Sequence, residues 1–374
     1  MDLQIEKVFS FIEQDEKNIL GLVKELADIP SPTFAEKEKI LFLQKLVANL
    51  GYKTFIDKCG NLYGSINGGK AAVLVVSHTD TVLTPQAKVR QDNKYFYGHG
   101  VCDNSTGIVA LLTILKLIKK FNFKLPKKLL FAFTVAEEGL GAKTGMKFLM
   151  KNHKNIDAVI NLESHNIGRI INQSPGQYRI KLTIETAKAG HSFRDFGNPN
   201  PIVTACQIIS NFAKLPGFKK GETTFNIGTI QGGQGINSIP QNCQILLEIR
   251  SVKQEKLKFL KDNLKKILKH HKEVKITQEI IADTQAAFLP KTHKIYKLVE
   301  KVHKNLGIKS FFEMANNDAE VSLGLGIPTV TIGSSIGFNT HSQVEYVDKE
   351  SIILGIKQDF LIVWEISRSF INGF

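Results

Sequence analysis

The sequence predicts an α/β protein, a mixed sheet sandwiched by helices, interrupted by an inserted α+β unit. Three observations carry that prediction. The continuous apolar run at residues 72–76 and the short, largely apolar runs at 129–134, 158–162 and 328–332 have the character of strands buried on both faces. Segments with helical spacing of apolar residues alternate with these runs, as in sheets covered by helices. Near Ser174 the pattern changes, and residues 178–185 alternate strictly between apolar and polar, the mark of a sheet with one wet face. The expected organisation is therefore a first part over 1–174, an inserted unit over 175–282 and a returning part over 283–374.

Taken in order, residues 3–26 have helical spacing. Thr33 followed by Glu36 forms a capping-box pattern that opens a second helix running to Leu50. Short strands are expected near 53–56 and 61–66, then the apolar run 72–76 delivers the chain to Ser77-His78-Thr79-Asp80-Thr81. After a turn-rich stretch from Leu83 to Gly100, Asp103-Asn104-Ser105 caps a helix whose residues 108–118 are apolar almost all round and hence buried. A strand at 129–134, a helix at 143–151 and a strand at 158–162 ending at Glu163 complete the first part. The inserted unit reads as strands at 178–185, 223–230, 244–249 and 274–281 with helices at 200–213 and 256–268. The last part reads as a helix over 292–306, the 328–332 strand and a closing helix from Ile352 to about Phe370.

Composition narrows the function classes. A chain of 374 residues, 43% hydrophobic and 22% charged, has the make-up of an ordinary soluble globular protein of two domains or one large one. The residues from Met1 to Lys17 are mixed and charged, so no signal peptide is expected, and no run approaches the roughly 18 apolar residues of a membrane span. Cys59, Cys102, Cys206 and Cys243 lie far apart and read as buried free thiols of a reducing cytoplasm. The formal charge of +14 comes from lysines spread over most helices. It indicates a lysine-rich surface or affinity for acidic ligands, and no nucleic-acid signature accompanies it.

The chemistry centres on Glu137-Glu138-Gly139, which follows the 129–134 strand. Alone, such a pair is ordinarily an exposed acidic turn. On a strand, neighbouring side chains face opposite ways, but on a turn after Ala136 both carboxylates can converge. His78 ends one apolar strand, Asp103 begins the buried helix, Glu138 and Glu163 follow two further strands, and His341 follows the 328–332 strand. Ligands of open α/β sheets bind beyond the carboxyl ends of the strands, so five segments aim donors at one edge. Two imidazoles and three carboxylates suit a pair of zinc ions, with cobalt or manganese as substitutes. Asp80 has the offset to hold the His78 imidazole, and Glu137 is left as the general base, taking a proton from water and returning it to a leaving amine.

Four segments, Ser77-His78-Thr79-Asp80-Thr81-Val82, Gly98 to Gly107, Ala136-Glu137-Glu138-Gly139 and His341-Ser-Gln-Val-Glu345-Tyr-Val, resemble the co-catalytic zinc exopeptidases. That family includes peptidase T, glutamate carboxypeptidase, succinyl-diaminopimelate desuccinylase and acetylornithine deacetylase. The resemblance implies two zinc ions per subunit with Asp103 bridging them, one completed by His78 and Glu163 and the other by Glu138 and His341. It also implies that the inserted unit is a lid or dimerisation domain and that the protein is a homodimer. His191 in Ala189-Gly-His-Ser192 resembles the family's lid histidine, which binds the substrate carbonyl. Asn237 and Arg250 resemble the asparagine and arginine that hold the substrate's carboxylate. Gly190 to Ile202 and Asn161-Leu-Glu163 are most similar to the peptidase T-related branch, commonly described as tripeptide aminopeptidases. Glu163 stands where aminopeptidases of the family usually carry Asp and where carboxypeptidases and deacylases usually carry Glu, and Asn104 replaces a frequent acidic residue. The expectation is a cytoplasmic dizinc exopeptidase acting on small peptides. An N-acyl amino-acid deacylase or carboxypeptidase is the alternative within the family, and a metal-containing binding protein the alternative outside it.

Overall fold

The computed structural model describes residues 3–67 and 72–369. These form two compact units, one built from the residues up to Gln173 and from Phe288 onward, the other from Ser174–Ala287. In the first unit a mixed sheet runs, in spatial order, Thr54–Ile56, Leu62–Ile66, Lys128–Thr134, Ala72–His78, Ile156–His165, Thr329–Ser335 and Arg169–Ser174. The four central strands, Lys128–Thr134, Ala72–His78, Ile156–His165 and Thr329–Ser335, are mutually parallel. Their carboxyl ends therefore share one edge.

Side chains alternate across the strand Ala72–His78 as its period of two requires. Val73 and Val75 join a core covered by the helices Leu3–Gln14, Glu16–Ala27, Ser105–Lys120, Lys294–Asn305 and Lys349–Ser369. Ala72, Leu74 and Val76 face the other way, onto Met146, Leu149 and Met150 of the helix Thr144–Asn152. Both faces are dry, which is why these strands read as largely apolar runs.

Several local expectations are corrected. Residues 3–26 are two helices that meet at Asp15, where the carboxylate turns inward to Lys116 Nζ at 2.5 Å. The capping box does not form: the helix Lys37–Asn49 has no side-chain cap, and Thr33 and Glu36 bond elsewhere. Asn104, not Asp103, is the N-cap residue of Ser105–Lys120, and its amide bonds to Ser77 Oγ and the Leu162 carbonyl. Glu163 lies inside its strand, which continues to His165. The turn-rich stretch contributes Arg90–Gln91 and Tyr95–Tyr97 to a second sheet with Gly337–Phe338 and Tyr346–Asp348. Cys206 is exposed and Cys59 half-buried, while Cys102 and Cys243 are buried, and all four are free thiols. The closing helix is Lys349–Ser369; Phe370, its expected end, lies outside the described residues. Among the described residues no helix is long and apolar enough to cross a membrane.

The unit Ser174–Ala287 is an antiparallel sheet ordered Thr223–Gly232, Asn242–Ser251, Gly176–Glu185 and Lys275–Thr284. Ile180, Leu182 and Ile184 on one face pack with Ala205, Ile208 and Phe212 of the helix Pro201–Ala213 and with Leu257, Leu260 and Leu264 of Gln254–His270.

The closing helix of the first unit seats Gly355 directly on the strand Thr329–Ser335, where an added Cβ would collide with the Ser334 carbonyl. Backbone cannot yield as a flexible side chain does. Gly355→Ala is expected to cost about 1–3 kcal/mol, measured as a lower urea midpoint with unchanged slope. An unchanged midpoint would contradict this packing.

Candidate metal centre

At the shared strand edge, the last residue of Ala72–His78 presents its imidazole to two carboxylates. His78 Nε2 lies 3.2 Å from Asp103 Oδ1 and 3.8 Å from Glu163 Oε2. The other Asp103 oxygen, Oδ2, is 3.1 Å from His341 Nε2, which is itself 3.2 Å from Glu138 Oε1. One carboxylate thus stands between two imidazoles, each with a second carboxylate beside it. Two triads, His78–Asp103–Glu163 and Asp103–Glu138–His341, each bring three ligand atoms within 4.8 Å of one another. His78, Asp103, Glu137 and Glu163 are buried, while His341 is exposed on the loop that follows Gly337–Phe338.

The turn that carries Glu137 and Glu138 begins where the strand Lys128–Thr134 ends. Ala136 adopts φ 53°, a left-handed conformation that costs an alanine roughly 1–2 kcal/mol. Glu36 Oε1 accepts the Ala136 amide at 2.9 Å. Asp80 accepts the Glu137 amide on Oδ1 and the Glu138 amide on Oδ2, both at 3.0 Å, and the Thr33 hydroxyl at 2.9 Å. Asp80 therefore grips this turn as its main task. The His78 Nδ1 that it was expected to hold lies nearer the Asp80 backbone carbonyl, at 3.1 Å, than its carboxylate, at 3.6 Å. Lys143 Nζ stands 3.6 Å from Glu137 Oε1. Glu36, Thr33 and Lys143 were not foreseen as parts of the site.

Charge explains what the cluster attracts. Burial alone would lower the His78 imidazole, but hydrogen bonds to Asp103, Asp80 and Glu163 outweigh it and hold the ring well above its ordinary value. His341 is pushed up to about 11 by Asp103 and then Glu138. Burial would raise Glu163, yet His78 holds it below the usual carboxylate range. Burial pushes Glu137 well above that range, opposed by Lys143 and reinforced by Glu138. The carboxylates thus hold positive charge at both imidazole positions. A donor set of two nitrogens and three carboxylates suits zinc and similar divalent ions, so the residues fit such a group.

In the other unit, Gly190–His191 pairs antiparallel with Ser238–Ile239, so His191 and Asn237 are neighbours. The Asn237 carbonyl accepts the Ser192 amide at 2.9 Å. The His191 ring and the Asn237 side chain are exposed. Arg250 lies near the far end of the strand Asn242–Ser251, opposite Gln177, with its guanidinium on both Glu248 oxygens at 2.9 and 3.0 Å. Arg250 stands eight steps along the strand from Asn242, roughly 26 Å. One chain does not bring Arg250 together with His191 and Asn237.

A parallel-edged α/β sheet with one carboxylate standing between two imidazoles makes a candidate metal centre. Residues 74–358 match the model of Peptidase family M20/M25/M40, and the chain belongs to that family. It is 26% identical to the uncharacterized protein YqjE of Bacillus subtilis, covering 95% of this chain and all of that one. Acetylornithine deacetylase of Buchnera aphidicola is 24% identical, over 77% of this chain and 79% of that one. Among solved structures, a tripeptidase from Staphylococcus aureus has the same fold, with a TM-score of 0.79 at 23% identity over 94% of this chain and 99% of that one.

The carboxylates hold His341 up at about 11 and raise His78 from its ordinary value, whereas a metal ligand must be neutral. Metal uptake must then expel protons, and affinity must rise with pH. Calorimetric zinc titrations at pH 7 in buffers of different ionisation enthalpy are expected to show net proton release on binding. Release of none would contradict the assignment of His78 and His341 as ligands.

Proposed function

We propose that the chain is a dizinc exopeptidase of small peptides, with a tripeptide as the favoured substrate. The observation that carries this reading is the Asp103 carboxylate, with one oxygen 3.2 Å from His78 and the other 3.1 Å from His341. His78, Asp103 and Glu163 would hold one ion, and Asp103, Glu138 and His341 the other. Two such ions supply the acidity that activates water and the polarisation of the scissile carbonyl.

Glu137 is the general base. Its buried carboxylate lies within ligand distance of His78 and Glu138, yet outside the two triads that share Asp103. It takes a proton from water and delivers it to the nitrogen of the leaving amine. Asp80 keeps Glu137 and Glu138 in register by holding both amides, and Lys143 limits how far burial drives Glu137 toward its neutral form. His191 stabilises the developing oxyanion, and Asn237 and Arg250 take the substrate's carboxylate. Arg250 lies roughly 26 Å along its strand from Asn242, whereas Asn237 precedes that strand at its other end, beside His191. A homodimer in which His191 comes from a neighbouring lid is the assembly this reading carries.

Two features support the peptidase reading over a purely structural metal site: the adjacent base, and the likeness in fold to a tripeptidase. Glu163 favours a second reading, an N-acyl amino-acid deacylase. A deacetylase among the relatives supports it. Hydrolysis of free, N-acylated and C-amidated di- and tripeptides separates the two. Cleavage that requires a free amino terminus is expected; cleavage of acyl amino acids alone would install the deacylase, and no turnover at all would leave a metal-containing binding protein.

Glu137→Gln preserves shape and removes the base. Turnover is expected to fall at least about 100-fold while zinc content, read by elemental analysis, stays at the wild-type level. Undiminished turnover would overturn the mechanism.

A further inference from the structure

Two residues in the segments that signalled the family, His99 and Glu345, lie outside the donor set, yet both are buried against it. Glu345 is fully buried, and its carboxylate accepts three backbone amides of the Asp103 loop. Oε1 takes the amides of Cys102 and Asp103, each at 2.8 Å, and Oε2 takes that of Gly100 at 3.0 Å. The Gly98 amide donates to the Glu345 carbonyl at 2.9 Å, so the main chain joins the same contact. Glu345 is four residues from His341, on the same loop.

His99 adds the third segment. Its Nε2 accepts the Leu83 amide at 3.0 Å, which leaves Nδ1 to carry the ring hydrogen. Nδ1 faces the Ser342 carbonyl at 3.2 Å and Glu345 Oε2 at 3.4 Å. Leu83 lies on the stretch that continues from His78 and Asp80. One buried pair therefore ties together the chain after His78, the loop of Asp103 and the loop of His341.

We propose that His99 and Glu345 are a positioning pair that sets the Asp103 carboxylate in register between His78 and His341, and thereby sets the affinity and spacing of both cation positions. The reason is geometric. Asp103 serves both positions only if its two oxygens reach both imidazoles at once, and His341 sits on an exposed loop with little packing of its own. Glu345 anchors that loop to the very amide of Asp103. This inference rests on the metal-centre reading.

The test is a cobalt titration of metal-free wild type, Glu345→Gln and His99→Gln, followed by calorimetry and by the visible absorption of the bound ion. The glutamine amide at 345 must turn N–H toward a backbone N–H, because both carboxylate oxygens already accept amides. Glu345→Gln is expected to bind cobalt about 10- to 100-fold more weakly, with a shifted absorption band. A purely structural role would lower the thermal midpoint and leave band and affinity unchanged. His99→Gln keeps all three backbone bonds to Glu345 and is expected to lose less affinity, in the same direction. If Glu345→Gln does not fold, His99→Gln decides: weaker binding with a shifted band supports the pair, and wild-type binding overturns it. Wild-type affinity and absorption in a folded Glu345→Gln also overturn it, whereas a wild-type chain that takes up no cobalt overturns the metal centre itself.

Discussion

The site depends on one carboxylate held between two imidazoles. Asp103 reaches His78 with one oxygen and His341 with the other, and the further carboxylates Glu163 and Glu138 complete the two sides. Packing so many acids at one edge is unfavourable unless positive charge accompanies them. The carboxylates accordingly raise both imidazoles, which favours positive charge at those positions. Deeper in the wall, the buried Lys39 ammonium is drawn down to about 8 by burial, against the opposing pull of Asp80, Glu345 and Glu36.

Those three acids share a physical logic. Each accepts backbone amides from a loop that bears a proposed ligand or the proposed base: Glu36 and Asp80 from the 136–138 turn, Glu345 from the 100–103 loop. Loops have no ladder to fix them, so their amides need acceptors, and an ionised carboxylate is a strong one. The sheet supplies the edge and the buried acids supply the loop geometry. Ala136, at φ 53°, shows the arrangement at work, because a conformation unfavourable to alanine is retained where Glu36 and Asp80 take the surrounding amides.

The central strands were legible because parallel strands dry on both faces leave largely apolar runs in the sequence. The local misreadings have a common cause. Thr33 and Glu36 have the spacing of a capping box, but their partners are Asp80 and Ala136, the latter 100 residues away. Asp15 splits one apparent helix in two, and its partner Lys116 is equally remote in sequence. Glu345 stood in a recognised segment without a role because it binds backbone amides, which leave no trace in side-chain identity. The strands Gly337–Phe338 and Tyr346–Asp348 are too short to develop alternation. Arg250 kept its place in the pattern, while its contact with Glu248 and its distance from Asn237 emerge only from strand register.

The central claim is that Asp103 is shared by two cations. Anomalous diffraction from zinc-loaded crystals tests it most directly. The account predicts two peaks roughly 3.5–4 Å apart, both in contact with Asp103, one also with His78 and the other with His341. A single peak, or two peaks of which only one touches Asp103, would contradict it.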